Sequence, residues 1–126
     1  MHENEIATLV VDVAYRVHQE LGPGLLESVY EAAMAYEFDK RGINYLRQLP
    51  CPVPFDGVIL KNEGFRVDFL VESKVIVEVK SVESVAPVVF KTALTYSKLS
   101  GKKLALVINF NVALIKDGIK RIVNGL

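Results

Sequence analysis

The strongest constraint on the fold is the run VIVEVKSV at residues 75–82, which places two charged side chains inside an apolar segment. Its four valines and one isoleucine indicate a buried β-strand. An unpaired charge in such a strand is costly. Because side chains alternate along a strand, Glu78 and Lys80 share one face with Ile76, and the three valines between residues 75 and 79 take the other face.

The preceding segment FRVDFLV, residues 65–71, predicts the antiparallel partner of this strand. Only the three residues ESK separate the two segments, which is a β-hairpin signal. If that loop is centred on Ser73, Asp68 lies opposite Glu78 with Cβ atoms roughly 5 Å apart. A shift of one residue would move Asp68 to the valine face, where a lone carboxylate is costly. The sequence therefore predicts a pair of facing carboxylates.

Two neighbouring carboxylates repel each other, so a positive partner is expected. Lys80 can offset one charge, whereas a divalent cation offsets both, and hard oxygen ligands suit Mg²⁺ or Mn²⁺. We therefore predict a metal site at Asp68 and Glu78 with Lys80 at its edge. The spacing alone leaves open a structural ion pair between Glu78 and Lys80, or another base, in the core of an oligomerising protein.

The rest of the chain predicts one α/β domain over residues 1–126, with a central mixed sheet flanked by helices. Apolar steps of three and four predict the first two helices, which Gly22-Pro23-Gly24 and Gly42 end. The segment 52–60 contains Pro54 and the turn pair Asp56-Gly57, so we expect two pieces or an irregular edge there. The predicted order is helices over 5–21 and 25–41, strands over 43–50, 52–60, 65–71 and 75–82, a helix over 88–100, a strand over 103–110 and a short last strand within 115–123.

The composition constrains the cellular compartment of the protein more than it constrains the function. Fifteen basic and fifteen acidic residues give a net charge of zero, which neither supports nor excludes binding to nucleic acid. The single cysteine, Cys51, cannot form a disulfide within the chain, which favours the cytoplasm. The first residues lack the layout of a signal peptide, and no apolar run approaches the roughly 20 residues of a membrane span.

The second predicted helix supplies a further carboxylate. Glu27, Tyr30 and Met34 are spaced at three and four residues and therefore line one face. An acid in the first turn of a helix also complements the helix dipole, which explains Glu27 without any site. Glu31 and Glu37 are interpreted as solvated.

The stretch GLLESVY at residues 24–30 resembles the name-giving motif of the GxxExxY proteins. This bacterial and archaeal family is assigned to the PD-(D/E)XK nuclease-like superfamily. Further matching segments cover nearly the whole chain in the right order: FDG at 55–57, FRVDFLVES at 65–73, VIVEVKSVES at 75–84, LTYSKLSGKKLALVINF at 94–110 and KDGIKRIV at 116–123. The resemblance implies a restriction-endonuclease-like α/β/α core.

The resemblance also implies roles for particular residues. Glu27, Asp68 and Glu78 take the positions of the metal-binding acids, and Lys80 takes that of the catalytic lysine. The implied reaction is hydrolysis of phosphodiester bonds in nucleic acid, DNA before RNA, with Mg²⁺ or Mn²⁺ as cofactor. Nucleases of this size often work as homodimers or within larger assemblies, which leaves the oligomeric state open.

One position departs from the family pattern. Many relatives carry Gln-x-x-x-Tyr on the third helix, and here the tyrosine is Tyr96 while Thr92 stands in place of the glutamine. Lys91 is adjacent and offers an alternative contact to phosphate. Together with Tyr30, these three residues are the substrate-positioning candidates. The departure keeps open a non-catalytic module of the same fold that binds nucleic acid or a protein.

Overall fold

A five-stranded mixed sheet separates the helices into two layers. The computed structural model describes residues 1–60 and 64–126. Strand order in the sheet follows the sequence, and β3 and β4 run parallel while the other neighbours are antiparallel. The elements are α1 (Glu3–Leu21), α2 (Glu27–Arg41), β1 (Tyr45–Phe55), β2 (Val58–Val71), β3 (Val75–Lys80), α3 (Pro87–Ser100), β4 (Leu104–Asn109), a 3₁₀ turn (Ile115–Gly118) and β5 (Ile119–Val123).

The two faces of β3 pack against different helices, as predicted. Val75, Val77 and Val79 are buried with α1 and α2, whereas Ile76 packs with Ala93 of α3. The α/β/α arrangement expected from the sequence is therefore confirmed. Among the described residues, the structure contains no helix with the length and apolar character needed to cross a membrane.

The predicted boundaries of the first strands are partly wrong. The segment 52–60, expected as two pieces or an irregular edge, is divided at the Asp56-Gly57 turn between β1 and β2, and the pairing of these strands shifts register between Pro52 and Pro54. Residues 43–50, however, do not form a separate strand, because β1 continues to Phe55. The reason is the spacing of the three prolines of β1, Pro50, Pro52 and Pro54. Prolines at alternate positions remove N–H groups from one edge of a strand only, so the other edge remains free to pair with β2.

The alternation of side chains in the β1–β2 hairpin is broken at Gln48 and Asp68, so that residues on either side of this point face opposite sides of the sheet. The flanking pairs Arg47–Phe69 and Leu49–Val67 place these two residues opposite each other. Phe69 lies in the core beneath α1 and α2, but Val67 lies in the core beneath α3. A regular strand would keep both on one face. Gln48, with φ +54°, has the left-handed backbone that accompanies this change, which we call the kink.

The chain leaving β3 is fixed by the last residue of β4. The buried side chain of Asn109 accepts hydrogen bonds from the N–H groups of Val82 (3.1 Å) and Asn111 (3.2 Å) and donates to the carbonyl of Val82 (2.9 Å). This clamp sets the path of the chain two residues after Lys80, at the end of β3 where Glu78 and Lys80 lie.

Candidate functional site

Asp68 and Glu78 face each other where β2 and β3 separate. The regular ladder runs from Val71–Val75 to Phe69–Val77. One residue further, the N–H of Asp68 donates to Oε1 of Glu78 (3.4 Å), and the N–H of Val79 donates to Oδ2 of Asp68 (2.7 Å). The two carboxylates thus accept the backbone bonds that the diverging strands no longer make to each other. The predicted register, with Asp68 opposite Glu78, is confirmed.

Ionising both carboxyl groups is unfavourable in this position. Glu78 is only 9% exposed, and burial followed by the charge of Asp68 raises its pKa to about 8. Burial also raises the pKa of Asp68, and the charge of Glu31 adds to that effect. The ammonium of Lys80 lowers the pKa of both acids, but it does not reverse either shift. The positive charge near Asp68 and Glu78 is therefore too small to favour ionisation of both carboxyl groups.

A cleft of about 190 Å³ opens between β3 and α3 beside this pair. Glu78 and Lys80 form its sheet side, and Thr92 and Tyr96 line it from α3 together with three apolar residues, Val88, Val89 and Ala93. Lys91, in contrast, is exposed and is not among the residues that line the cleft. Two of the positioning candidates therefore share the cleft with the acid and the lysine.

Tyr96 can act as a hydrogen-bond donor in this cleft. Its ring stacks on Phe65 of β2. Burial, and then the charge of Glu78, raises the pKa of its hydroxyl above the ordinary value of 10.0. The phenol therefore keeps its proton at neutral pH.

Glu27 is exposed at the first residue of α2. The start of this helix lies near the end of β3, because the hydroxyl of Ser81 donates to the carbonyl of Leu25 (2.5 Å). Within the described residues, however, Glu27 makes no hydrogen bond or ion pair with Asp68, Glu78 or Lys80. The structure does not bring it into the carboxylate pair, and its role as a ligand stays a prediction.

Glu31, one turn further along α2, is the acid that sequence reasoning missed. Its side chain is 12% exposed, so its interpretation as solvated is wrong. The Nε2 of Gln48 donates both to Oε1 of Glu31 (2.5 Å) and to Oδ1 of Asp68 (3.2 Å), and Arg47 lies 3.5 Å from the other oxygen of Glu31. The sequence offered only one sign that Glu31 belongs to the site, its position four residues after Glu27. The hydrogen bond between Glu31 and Gln48 depends on the kink, which the sequence does not indicate.

Glu37 is also buried rather than solvated, but it belongs to a different place. Its carboxylate lies 3.4 Å from Arg41 and 4.0 Å from Arg16. The contact with Arg16 joins α1 to α2, and the contact with Arg41 lies within α2, so Glu37 has a structural explanation.

Tyr30 is fully buried and stacks on Phe110 with ring centroids 4.5 Å apart. Its hydroxyl donates to the carbonyl of Gly22 (2.5 Å) and accepts from the N–H of Leu25 (3.1 Å). In this structure the hydroxyl therefore fixes the loop before α2 and does not face the cleft, unlike Thr92 and Tyr96.

The donor set of the pair suits a hard divalent cation. No group of three or more His, Cys, Asp or Glu side chains in residues 1–60 and 64–126 could enclose a metal ion. Asp68 and Glu78 nevertheless offer two carboxylates whose mutual repulsion a cation would relieve. Mg²⁺ usually keeps several waters and is held by one or two carboxylates together with substrate phosphates. A pair beside an open cleft fits that mode of binding.

Comparisons with known proteins agree with this fold. A family model described as the PD-(D/E)XK nuclease superfamily matches residues 4–122. The crystal structure of an alkaline exonuclease from Laribacter hongkongensis is similar, with a TM-score of 0.52 over 98% of this chain and 72% of the exonuclease chain. The sequences are 16% identical, so this similarity shows a shared fold. A search among curated proteins found no significant match.

Proposed function

Because this chain belongs to the PD-(D/E)XK nuclease superfamily, we propose that it is a divalent-metal-dependent nuclease that hydrolyses phosphodiester bonds in DNA or RNA. The observation that carries the proposal is the pair of a half-buried Asp68 and a buried Glu78, which has little positive charge nearby and lies beside a cleft that Lys80 also lines. Within the superfamily, the motif GLLESVY at residues 24–30 supports assignment to the GxxExxY proteins.

Each residue has a distinct role in this proposal. Asp68 and Glu78 hold Mg²⁺ or Mn²⁺, with Glu27 as a further acid suggested by the motif. An ion held there would supply activation of a water and positive charge against the scissile phosphate. The ammonium of Lys80 stabilises the charge that develops on the phosphate or orients the attacking water.

The proposal also assigns the substrate contacts and the setting. The hydroxyls of Thr92 and Tyr96 are donors for phosphate oxygens. We take DNA as the first candidate partner and the cytoplasm as the location, since Cys51 forms no disulfide within the chain.

Calorimetric titration with Mn²⁺ tests the metal role. We expect the wild-type chain to bind Mn²⁺ and the Asp68→Asn variant to lose at least tenfold in affinity. Asparagine keeps an oxygen that can accept the N–H of Val79, so loss of binding would not simply report unfolding. Asp12→Asn, on the exposed surface of α1, is the matched control. Equal binding by the wild type and Asp68→Asn would remove the metal role.

A cleavage assay on plasmid DNA, DNA oligonucleotides and RNA, with Mg²⁺, Mn²⁺ or EDTA, tests the reaction. We expect cleavage that requires metal and falls at least a hundredfold in both Glu78→Gln and Lys80→Met. Intact metal binding without cleavage of any substrate would instead support a non-catalytic binding module. Thr92 favours that second candidate, because its short hydroxyl replaces the glutamine that many relatives carry.

A further inference from the structure

We propose that Gln48 is a positioning residue of the cation site, which holds the Asp68 carboxylate in place through its side-chain amide. This inference rests on the proposed function and extends it to a strand that supplies no ligand. The sequence gives no sign of it, because Gln48 precedes Asp68 by twenty residues and lies on β1, the edge strand of the sheet.

The amide of Gln48 joins two acids that would otherwise repel each other. Its Nε2 lies 2.5 Å from Oε1 of Glu31 and 3.2 Å from Oδ1 of Asp68. An amide nitrogen carries two hydrogens, so it can donate one to each carboxylate. The opposite orientation would present the amide oxygen to both acids, so the surrounding charges define which way the side chain points.

Both oxygens of Asp68 are oriented by this arrangement. Oδ2 accepts from the N–H of Val79 at 2.7 Å, and Oδ1 accepts from Gln48. The carboxylate plane is thereby fixed from β3 on one side and from β1 on the other. Ligands of a cation site need such support, because small displacements weaken coordination.

The backbone of Gln48 points to the same conclusion. Its φ of +54° lies in the left-handed region, which is disfavoured for a residue with a side chain. Strained residues of this kind persist where several contacts hold them, and they cluster at functional sites. Here Arg66 donates to the carbonyl of Gln48 at 3.2 Å, while the amide holds Glu31 and Asp68.

Replacing Gln48 with glycine separates the effect of the side-chain amide from the effect of the left-handed backbone. Gln48→Gly removes the amide, but glycine adopts the positive φ without strain. We expect a melting temperature near that of the wild type, because the relief of backbone strain offsets the two lost hydrogen bonds, and a dissociation constant for Mn²⁺ roughly ten- to a hundredfold higher. Gln48→Asn keeps an amide on a shorter side chain that tolerates this backbone, and we expect it to recover part of the affinity. Gln19→Leu, on the exposed surface of α1, is the matched control.

The outcomes separate this inference from the proposed function. If Gln48→Gly binds Mn²⁺ as tightly as the wild type, the positioning role is overturned and the metal site stands. If the wild type binds no Mn²⁺, both fail. Should Gln48→Gly not fold, Gln48→Met decides by the same criterion, because methionine keeps the length of glutamine without its donors.

Discussion

Glu78 occupies a position where a carboxyl group is easier to keep neutral than charged. Only 9% of the residue is exposed, and Asp68 faces it across the opening between the strands. Burial is the larger cause of the raised pKa, and the charge of Asp68 is the second. Without a cation, this carboxyl group therefore makes the stability of the fold depend on pH.

We predict that the free energy of unfolding falls as the pH rises from about 4.5 to about 8 in the presence of EDTA. The unfolded chain releases the proton of Glu78 near the ordinary pKa of 4.5, whereas the folded chain retains it up to about pH 8. The folded state thus binds more protons in this window, and the stabilisation present below pH 4.5 is lost across it. Glu78→Gln should reduce this slope, leaving the smaller contribution of Asp68, and be more stable at pH 8 by up to about a few kcal/mol.

Urea denaturation at a series of pH values checks this prediction, with Glu37→Gln as the comparison. Glu37 is equally buried but lies between two arginines, so its amide variant should not be stabilised at pH 8. Parallel curves for the wild type and Glu78→Gln would contradict the account.

The residues of the site differ in how far sequence alone could predict them. The facing of Asp68 and Glu78 followed from two local facts, the alternation of a strand and a three-residue loop. The place of Glu31 depends on Gln48, and the place of Gln48 depends on a left-handed backbone inside a strand. No local composition indicates such a backbone at a glutamine, so the third acid could not be identified from the sequence.

At the scale of elements, the start of α2 is fixed by side chains rather than by a regular cap. Its N-cap residue, Leu26, makes no side-chain capping bond. The hydroxyl of Tyr30 instead binds both Gly22 and Leu25, and Ser81 ties the same loop to the end of β3. The motif that resembles the GxxExxY pattern therefore has a structural function in positioning this helix.

We predict that Tyr30→Phe destabilises the protein by about 1–2 kcal/mol. Phenylalanine keeps the stacking on Phe110 but leaves the carbonyl of Gly22 and the N–H of Leu25 without their partner. Chemical denaturation measures the loss. Any cleavage activity should stay near that of the wild type at temperatures where the variant is folded. A large loss of activity with unchanged stability would restore Tyr30 as a substrate contact.

The elements themselves were more predictable than their junctions. The first two helices were recognised from their periodicity, the third from the proline and glycine at its ends, and β3 and β4 from their apolar runs, because these patterns are local. The extent of β1 was not, because prolines usually interrupt a strand. Because Pro50, Pro52 and Pro54 are at alternate positions, the N–H groups that they lack all belong to the edge of β1 that does not pair with β2. This becomes evident only once the partner strand is known.

At the scale of the whole molecule, the sheet has two free edges that are protected differently. The edge at β5 belongs to a strand of only five residues, with Lys120 and Arg121 exposed. The edge at β1 is longer, and the prolines remove its N–H donors. Exposed apolar residues lie near this edge at the turn, namely Phe55, Val58 and Ile59. Short strands, charges and prolines are the usual means by which sheets avoid pairing edge to edge.

We predict that replacing Pro50, Pro52 and Pro54 together with threonine causes concentration-dependent self-association. The substitution restores three N–H donors on a free strand edge that lies next to apolar side chains. Analytical ultracentrifugation over a range of concentrations measures it. Threonine at the three exposed positions Lys98, Lys116 and Asp117, which lie on neither edge strand, is the control for surface change. If the triple threonine variant sediments as the wild type does at every concentration, the prolines have no protective role.

The opening between β2 and β3 gives this protein a built-in spectroscopic reporter. Two backbone amide protons, those of Asp68 and Val79, are bonded to the very carboxylates that would receive the cation. The chemical shift of such a proton follows the charge on its acceptor. Two peaks in the ¹H–¹⁵N spectrum of ¹⁵N-enriched protein therefore register protonation or ion capture between the two strands, without a substrate or a turnover.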